Sequence, residues 1–347
     1  KVVYSFEARR KLAELLDVVP PDVCHAHNIY HHLSPSILGL MHERRIPTVM
    51  TLHDLKIACP AYNMLSADGI CERCQGGRLH NVLLHRCIKR SAALSSVVML
   101  ESVLHRLLGS YRKHVDRFIV PSQFYVEKFC EWGFPRTLFR HVPNCVDSSE
   151  YVPEYAPGNA FVYFGRVSPE KGLRTLIRAA AASGCRVEIA GTGAQLEELR
   201  HLATELRADV KFHGYLSGAA LHEVIRNARA VVLPSEWYEN APMSVLEAYA
   251  LGKPAIGARI GGIPELIRHE QTGFVFDSGD FQSLAATMRR MTALSSADIE
   301  ALGRAARALV ETEFSARVYR SRILEVYGEL GVMGCAALHD AVPGGEP

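Results

Sequence analysis

Short apolar runs bounded by glycine, proline and polar clusters recur along the chain, and between them apolar residues return every three or four positions. Runs of the first kind read as buried strands and segments of the second as amphipathic helices. Residues 6–16 have helical spacing, 22–27 read as a strand, 28–35 as a loop leading to a helix ending near Arg44, and 48–53 as the next strand. Residues 92–108 are again apolar at helical spacing. Residues 117–122 form a strand running into a helix start, with Ser122 as N-cap. Residues 141–147 read as a strand and linker, and Pro153 with Pro157-Gly158 marks a break, so a domain boundary is expected near residue 150. The second half repeats the scheme, with apolar runs at 161–164, 186–190, 210–216, 230–233, 254–258 and 273–276. Helical spacing then runs from Phe281 to about Leu330, and 333–347 read as a frayed tail. Alternation of this kind implies parallel strands with crossover helices, whose ligands bind at the carboxyl ends of the strands.

At 347 residues the chain is long enough for two such domains. Its 48% hydrophobic and 22% charged content is that of an ordinary globular protein. A net charge of +2 implies no nucleic-acid partner. No apolar run is long enough to span a membrane. Nine cysteines, an odd number in so long a chain, do not read as a secreted disulfide scaffold and fit a reducing cytosol better.

The chemistry concentrates at residues 234–250, a polar loop between an apolar run and a helix. Glu239 lies in the loop and Glu247 eight residues on, about two turns into the helix. Pro242 is tolerated at the helix start, where the N–H groups of Met243, Ser244 and Val245 are expected to be unpaired and to form an anion site. Two carboxylates flanking an anion site suit a ligand with phosphate in the middle and hydroxyls at both ends, as in a nucleoside diphosphate sugar. Singly, each Glu would read as a solvated carboxylate. After the run at 161–164, Gly165-Arg166 and Lys171-Gly172 put two cations beside a helix start, an arrangement that can neutralise a diphosphate.

Glu239 and Glu247, the Gly165-Arg166 to Lys171-Gly172 loop, and Gly261-Gly262-Ile263-Pro264-Glu265 together resemble the E-x7-E family of retaining glycosyltransferases, the glycosyl transferases group 1. The resemblance covers roughly residues 20–330 and implies an α/β GT-B fold, two Rossmann-like domains facing across a cleft. It implies an acceptor-side domain over 1–150 with a Cys-rich insertion at 55–90, a nucleotide-sugar domain over 151–315, and a helix at 316–332 crossing back to the first domain. The family opens on a strand and a Gly-Gly turn missing here, so the first domain is expected to be incomplete.

By resemblance, Glu247 holds the ribose hydroxyls. Glu239, with the backbone of Asn240 and Ala241, holds the sugar. Arg166, Lys171 and the backbone of Met243, Ser244 and Val245 take the diphosphate. The backbone at Tyr215 and Leu216 lies against the base. His53 binds sugar and stabilises charge, and His27 and Asp54 belong to the acceptor side. The implied reaction is transfer from a UDP- or GDP-sugar to a glycan or polyprenyl-linked acceptor with retention of configuration, in polysaccharide synthesis. No Asp-x-Asp occurs, so protein cations are expected to replace a metal in catalysis. Competing readings are a sugar-nucleotide 2-epimerase, a phosphorylase, and an inactive zinc-braced interaction protein.

Three further features stand apart. Cys71 and Cys74 are bracketed by Cys59 and Cys87, and four thiolates so spaced can close a structural zinc site; they also read as ordinary or redox-sensitive thiols. Histidines are dense at His25, His27, His31, His32 and His53, without a helical ligand pair. Residues 78–117 carry eight Lys and Arg around the apolar segment 92–108. That segment reads either as a core helix with a solvated face or as a helix resting on an anionic membrane. The expected location is the cytoplasm, with peripheral attachment to the inner face of the membrane as a further option.

Overall fold

The computed structural model describes residues 3–30, 33–66 and 69–332. His31, His32 and the tail at 333–347 lie outside the described residues. The chain divides into two compact units, one made of the residues up to Pro143 together with those from Tyr319 onward, the other of Asn144–Val318.

The first unit is built on a four-stranded parallel sheet whose strands lie in chain order: β1 (Cys24–His27), β2 (Thr48–Thr51), β3 (Arg117–Val120) and β4 (Phe139–His141). Strand β2 is buried throughout, as a central parallel strand must be. One face carries Val49, Ile119 and Val142 against Val326 and the half-buried Tyr319, Ile323 and Tyr327 of the last helix, Ala316–Glu329. Glu329 pins that helix through ion pairs to Arg140 at 2.6 Å and Arg117 at 3.1 Å.

Between β2 and β3 lies a segment with little regular structure, apart from a ribbon pairing Leu65–Ser66 with Gly69–Ile70 and a short helix, Asn81–Leu84. It leads into the helix Ala92–Leu108, which Ser91 caps at its start and Gly109 ends with φ +67°. This helix corrects the core-helix reading of its apolar residues. Leu94, Val97, Leu100, Val103 and Leu107 are exposed, whereas Ser95, Val98, Glu101 and His105 are buried. The polar stripe faces inward because every member has a partner. Glu101 Oε2 accepts from Lys56 Nζ at 2.6 Å, Ser95 Oγ accepts from the Ile88 N–H at 3.2 Å, and His105 bonds Ser110 Oγ and the Val3 carbonyl.

The second unit holds a six-stranded parallel sheet. Its strands are β5 (Ala160–Phe164), β6 (Arg186–Ala190), β7 (Val210–Gly214), β8 (Ala228–Leu233), β9 (Ala255–Ala258) and β10 (Gly273–Phe276). Their spatial order is β10-β9-β8-β5-β6-β7, so the order reverses between β8 and β5. Strand β5 shows how the sheet is covered on both faces. Phe161 and Tyr163 pack with Leu173, Leu176 and Met288, while Val162 and Phe164 pack with Val245, Leu246 and Tyr249. The loops after β5 and β8 therefore leave adjacent strand ends at the point where the order reverses, the ligand-binding crevice of open α/β sheets.

Candidate functional site

In the second unit, the loop after β5 and the loop after β8 are bound to one another through glycine. Gly172 has φ +67°, and a Cβ there would stand 1.8 Å from the Pro234 carbonyl oxygen. The Glu236 N–H donates to the Glu170 carbonyl at 2.9 Å, and Thr175 Oγ1 donates to Glu236 Oε1 at 2.6 Å. This seam carries Lys171 to Glu239, with Nζ at 2.6 Å from Oε1. The same oxygen accepts from Ser235 Oγ at 2.7 Å. Glu239 is buried, so its charge depends on these two donors. Lys171 is thus an ion-pair partner in addition to being a cation at the strand end.

From the other side, Gly261 and Gly262 press on the backbone of Glu239. A Cβ on Gly261, whose φ is +57°, would lie 2.4 Å from the Glu239 carbonyl oxygen, and the Gly262 N–H donates to that oxygen at 2.8 Å. Asn144 Nδ2 donates to the Ala241 carbonyl at 2.9 Å. The loop is thereby held at Glu239 and Ala241 before the chain enters the helix Met243–Ala250. At the helix start the expectation needs a correction. The Val245 N–H donates to the Pro242 carbonyl at 3.2 Å, because the first turn tightens to a three-residue spacing, so it is not a free anion donor.

Glu247 is half-buried on this helix, and burial raises its pKa. Arg166 projects into solvent, with its closest carboxylate contact Glu170 at 3.8 Å. Burial and the nearby Glu239 and Glu170 carboxylates push the Tyr163 hydroxyl well above its usual range, and this neutral hydroxyl donates to the Arg166 carbonyl at 2.6 Å. Tyr215 is exposed, while Leu216 packs against the core under the helix Met243–Ala250. Sequence reading gives Ser235 no role and offers Trp237, with Tyr238, only as shaping the choice of sugar. The indole N–H of Trp237 is buried without a hydrogen-bond partner, and Lys171 Nζ stands 5.2 Å from its ring. An orphan indole donor beside an ion pair is a signal that only coordinates can supply.

In the first unit the histidines cluster at the carboxyl ends of β1 and β2. His27 Nδ1 and His53 Nε2 are 2.9 Å apart, and His25 bonds Tyr327 Oη at 2.6 Å and Thr51 Oγ1 at 2.7 Å. Burial, then its histidine neighbours, lower the pKa of His25 to about 4. Burial also lowers those of His27 and His53. The cluster is therefore neutral at pH 7, and in the His27–His53 pair one ring donates while the other accepts. Asp54 accepts from the Lys56 N–H at 2.8 Å, closing the turn after His53.

Cys59, Cys71, Cys74 and Cys87 line one small cavity in the first unit, and all four are free thiols. Burial pushes the Cys59 thiol up to about 11 and the Cys74 thiol up to about 12. Among the described residues no group of three or more His, Cys, Asp or Glu is placed so that it could hold a metal ion. Burial also raises the Cys87 thiol, so any metal held by these cysteines would have to displace their protons.

Comparison with known proteins gives a consistent picture. Residues 150–308 match the family model Glycosyl transferases group 1, and residues 1–150 match Glycosyltransferase Family 4. The amylovoran biosynthesis glycosyltransferase AmsK of Erwinia amylovora is 31% identical over 177 residues, covering 48% of this chain and 43% of that protein. A GDP-mannose-dependent monoacylated alpha-(1-6)-phosphatidylinositol monomannoside mannosyltransferase of Corynebacterium glutamicum is 26% identical over 237 residues, covering 61% of this chain and 62% of the relative. The chain thus spans less than two thirds of either curated relative's length. Among solved structures, HepE of Anabaena in complex with UDP superposes with a TM-score of 0.70 at 20% identity, over 92% of this chain and 82% of that one. Sucrose-phosphate synthase from Thermosynechococcus elongatus gives 0.69 at 20% identity, over 93% and 77%.

Proposed function

This chain belongs to the glycosyl transferases group 1, with the GT-B fold, and from that premise we propose that it transfers a sugar from a nucleotide-diphosphate sugar to a glycan or lipid-linked acceptor. The observation that carries the reading is the buried Glu239, held by Lys171 and Ser235 and wedged by Gly261 beside the first turn of the helix Met243–Ala250. Such a carboxylate is fixed in advance to accept from sugar hydroxyls.

The ammonium of Lys171 spends one of its three donors on Glu239, and the others serve the diphosphate with Arg166 and the N–H groups of Met243 and Ser244. These cations stabilise the leaving diphosphate as the glycosidic bond breaks, so no metal is required. Glu247 takes the ribose hydroxyls, the backbone of Tyr215 and Leu216 the base, and that of Asn240 and Ala241 the sugar. The acceptor oxygen bonds to the anomeric carbon on the face the diphosphate leaves, and its proton passes to a departing phosphate oxygen, retaining the configuration. His27, His53 and Asp54 serve the acceptor side, with neutral His53 contributing hydrogen bonds to sugar. HepE was solved with UDP and the Corynebacterium relative is named for GDP-mannose, so UDP- and GDP-sugars are the first donors to test.

Peripheral membrane contact is part of the same proposal. No helix of the described residues is long and apolar enough to cross a membrane. The exposed Leu94, Val97, Leu100, Val103 and Leu107 form a stripe on one helix, and the exposed Arg86, Lys89, Arg90 and Lys113 flank it. That pairing suits an anionic lipid surface.

Titration of UDP-, GDP- and ADP-sugars by thermal shift, on wild type and on Glu239→Ala, tests the donor reading. One nucleotide should stabilise the wild type selectively, and the variant should lose most of that response. Equal responses in both proteins would remove Glu239 from the site.

A further inference from the structure

The first unit contains a cavity of about 100 Å³ that none of the donor chemistry uses. Its floor is the buried Lys56–Glu101 pair and His105. Its walls are Tyr111, Trp132 and Phe134, and Arg106 and Arg112 line it as well.

Three properties of this lining point the same way. The first is charge. Lys56 and Glu101 cancel, and burial holds His105 below its usual pKa and hence neutral. Arg106 and Arg112 have no carboxylate partner among the described residues, so the lining keeps two uncompensated positive charges. The second is hydrogen-bond supply. The Tyr111 hydroxyl and the Trp132 indole N–H are both buried without a partner, and each is a donor. A buried orphan donor is costly, and two on residues that line the same cavity would both gain from an acceptor bound there. The third is built-in room. The Arg106 guanidinium lies where a Cβ on Gly77 would be, 2.6 Å from the nearest nitrogen, and Gly77 has φ +86°. Arg112 stacks on the Phe134 ring at 4.4 Å, which fixes a planar guanidinium with its N–H edge free.

We propose that this cavity binds the phosphoryl group of an organic phosphate, with Arg106 and Arg112 neutralising it and the Tyr111 hydroxyl and Trp132 indole donating to its oxygens. Two guanidiniums and two neutral donors match a tetrahedral group with several equivalent oxygens better than a planar carboxylate. The cavity volume admits a phosphate with a few attached atoms, so the rest of the ligand extends outward past the arginines. The site lies wholly in the first unit and stands whether or not the second binds a nucleotide sugar.

Trp132 and Trp237 are the only tryptophans in the chain, so Trp237→Phe leaves Trp132 as the sole indole reporter. Titration of this variant with phenyl phosphate, and separately with vesicles containing phosphatidic acid, should give a saturable change in Trp132 emission. Saturation by phenyl phosphate in solution would mean a free phosphomonoester, and a response to vesicles alone would mean a lipid-borne phosphate. Adding Arg106→Gln and Arg112→Gln should weaken binding by about tenfold or more. Tyr111→Phe separates a ligand role from a structural one. Removing an orphan hydroxyl should leave the melting temperature unchanged or raised while weakening phosphate binding about fivefold. The proposal falls if neither probe changes the emission, or if the double arginine variant, folded by circular dichroism, binds as tightly as its parent.

Discussion

Glu239 shows how one carboxylate can be both a structural and a binding group. Its Oε1 accepts from Lys171 and Ser235, so Glu239→Gln should leave a half-buried ammonium without its counter-charge. The expected cost is about 2–3 kcal/mol, below the usual value for a fully buried pair because Lys171 retains some exposure. Chemical denaturation should show that loss, together with weaker nucleotide-sugar binding. The carboxylate and the lysine are each visible in the sequence as plausible site residues. Their pairing is not, because they are 68 residues apart and nothing local encodes the contact. His25 carries a pH prediction. Its folded pKa of about 4 is below the ordinary 6.5, so the unfolded chain binds more protons between those values. Stability should therefore rise with pH from about 4 to 6.5 and level off above. The slope is at most about 1.4 kcal/mol per pH unit, and less here because the ring is only half-buried. Melting temperatures across that range should flatten in His25→Phe, whereas an unchanged slope would put the titration elsewhere.

At the scale of elements, the helix Ala92–Leu108 separates what periodicity encodes from what it does not. Its ends follow from spacing, a serine cap and a glycine stop. Its orientation does not follow, because a polar stripe turns inward only when Lys56, 45 residues away, arrives to meet Glu101. Replacing Glu101 alone with Leu should cost about 3–5 kcal/mol by stranding a buried ammonium, and Lys56→Met with Glu101→Leu should recover most of it. Urea midpoints of the two singles and the double would measure that coupling. The turn at Gly261 is the other informative element. Gly261→Ala meets both a left-handed backbone and the Glu239 carbonyl, so it should destabilise the fold by about 1–3 kcal/mol and weaken donor binding out of proportion to that loss. The Gly-Gly pair was legible as a place of close backbone approach. That it approaches Glu239 required the strand order, which brings the loops after β8 and β9 together.

At the scale of the molecule, the two units have separate cores and one tryptophan each, Trp132 in the first and Trp237 in the second. Fluorescence melts of Trp132→Phe and Trp237→Phe should therefore follow different units. A bound nucleotide sugar should raise mainly the transition that Trp237 reports, by about 2.7 kcal/mol at a hundredfold excess over Kd. A matching rise in the Trp132 signal would show that the units unfold together. The alternation of strands and helices made the two sheets legible from the chain, whereas the irregular segment between β2 and β3 has no period to read, and only the spacing of its four cysteines announced the cavity they line. The last helix has a consequence for how the protein is made. The first unit is interrupted in sequence, since its sheet is covered by Tyr319, Ile323 and Val326, and Tyr327 and Glu329 supply its bonds to His25, Arg117 and Arg140. A ribosome has therefore synthesised all of the second unit before it releases the residues that complete the first. The unit translated second can finish folding first, and the unit translated first must wait, partly assembled, for the residues from Tyr319 onward.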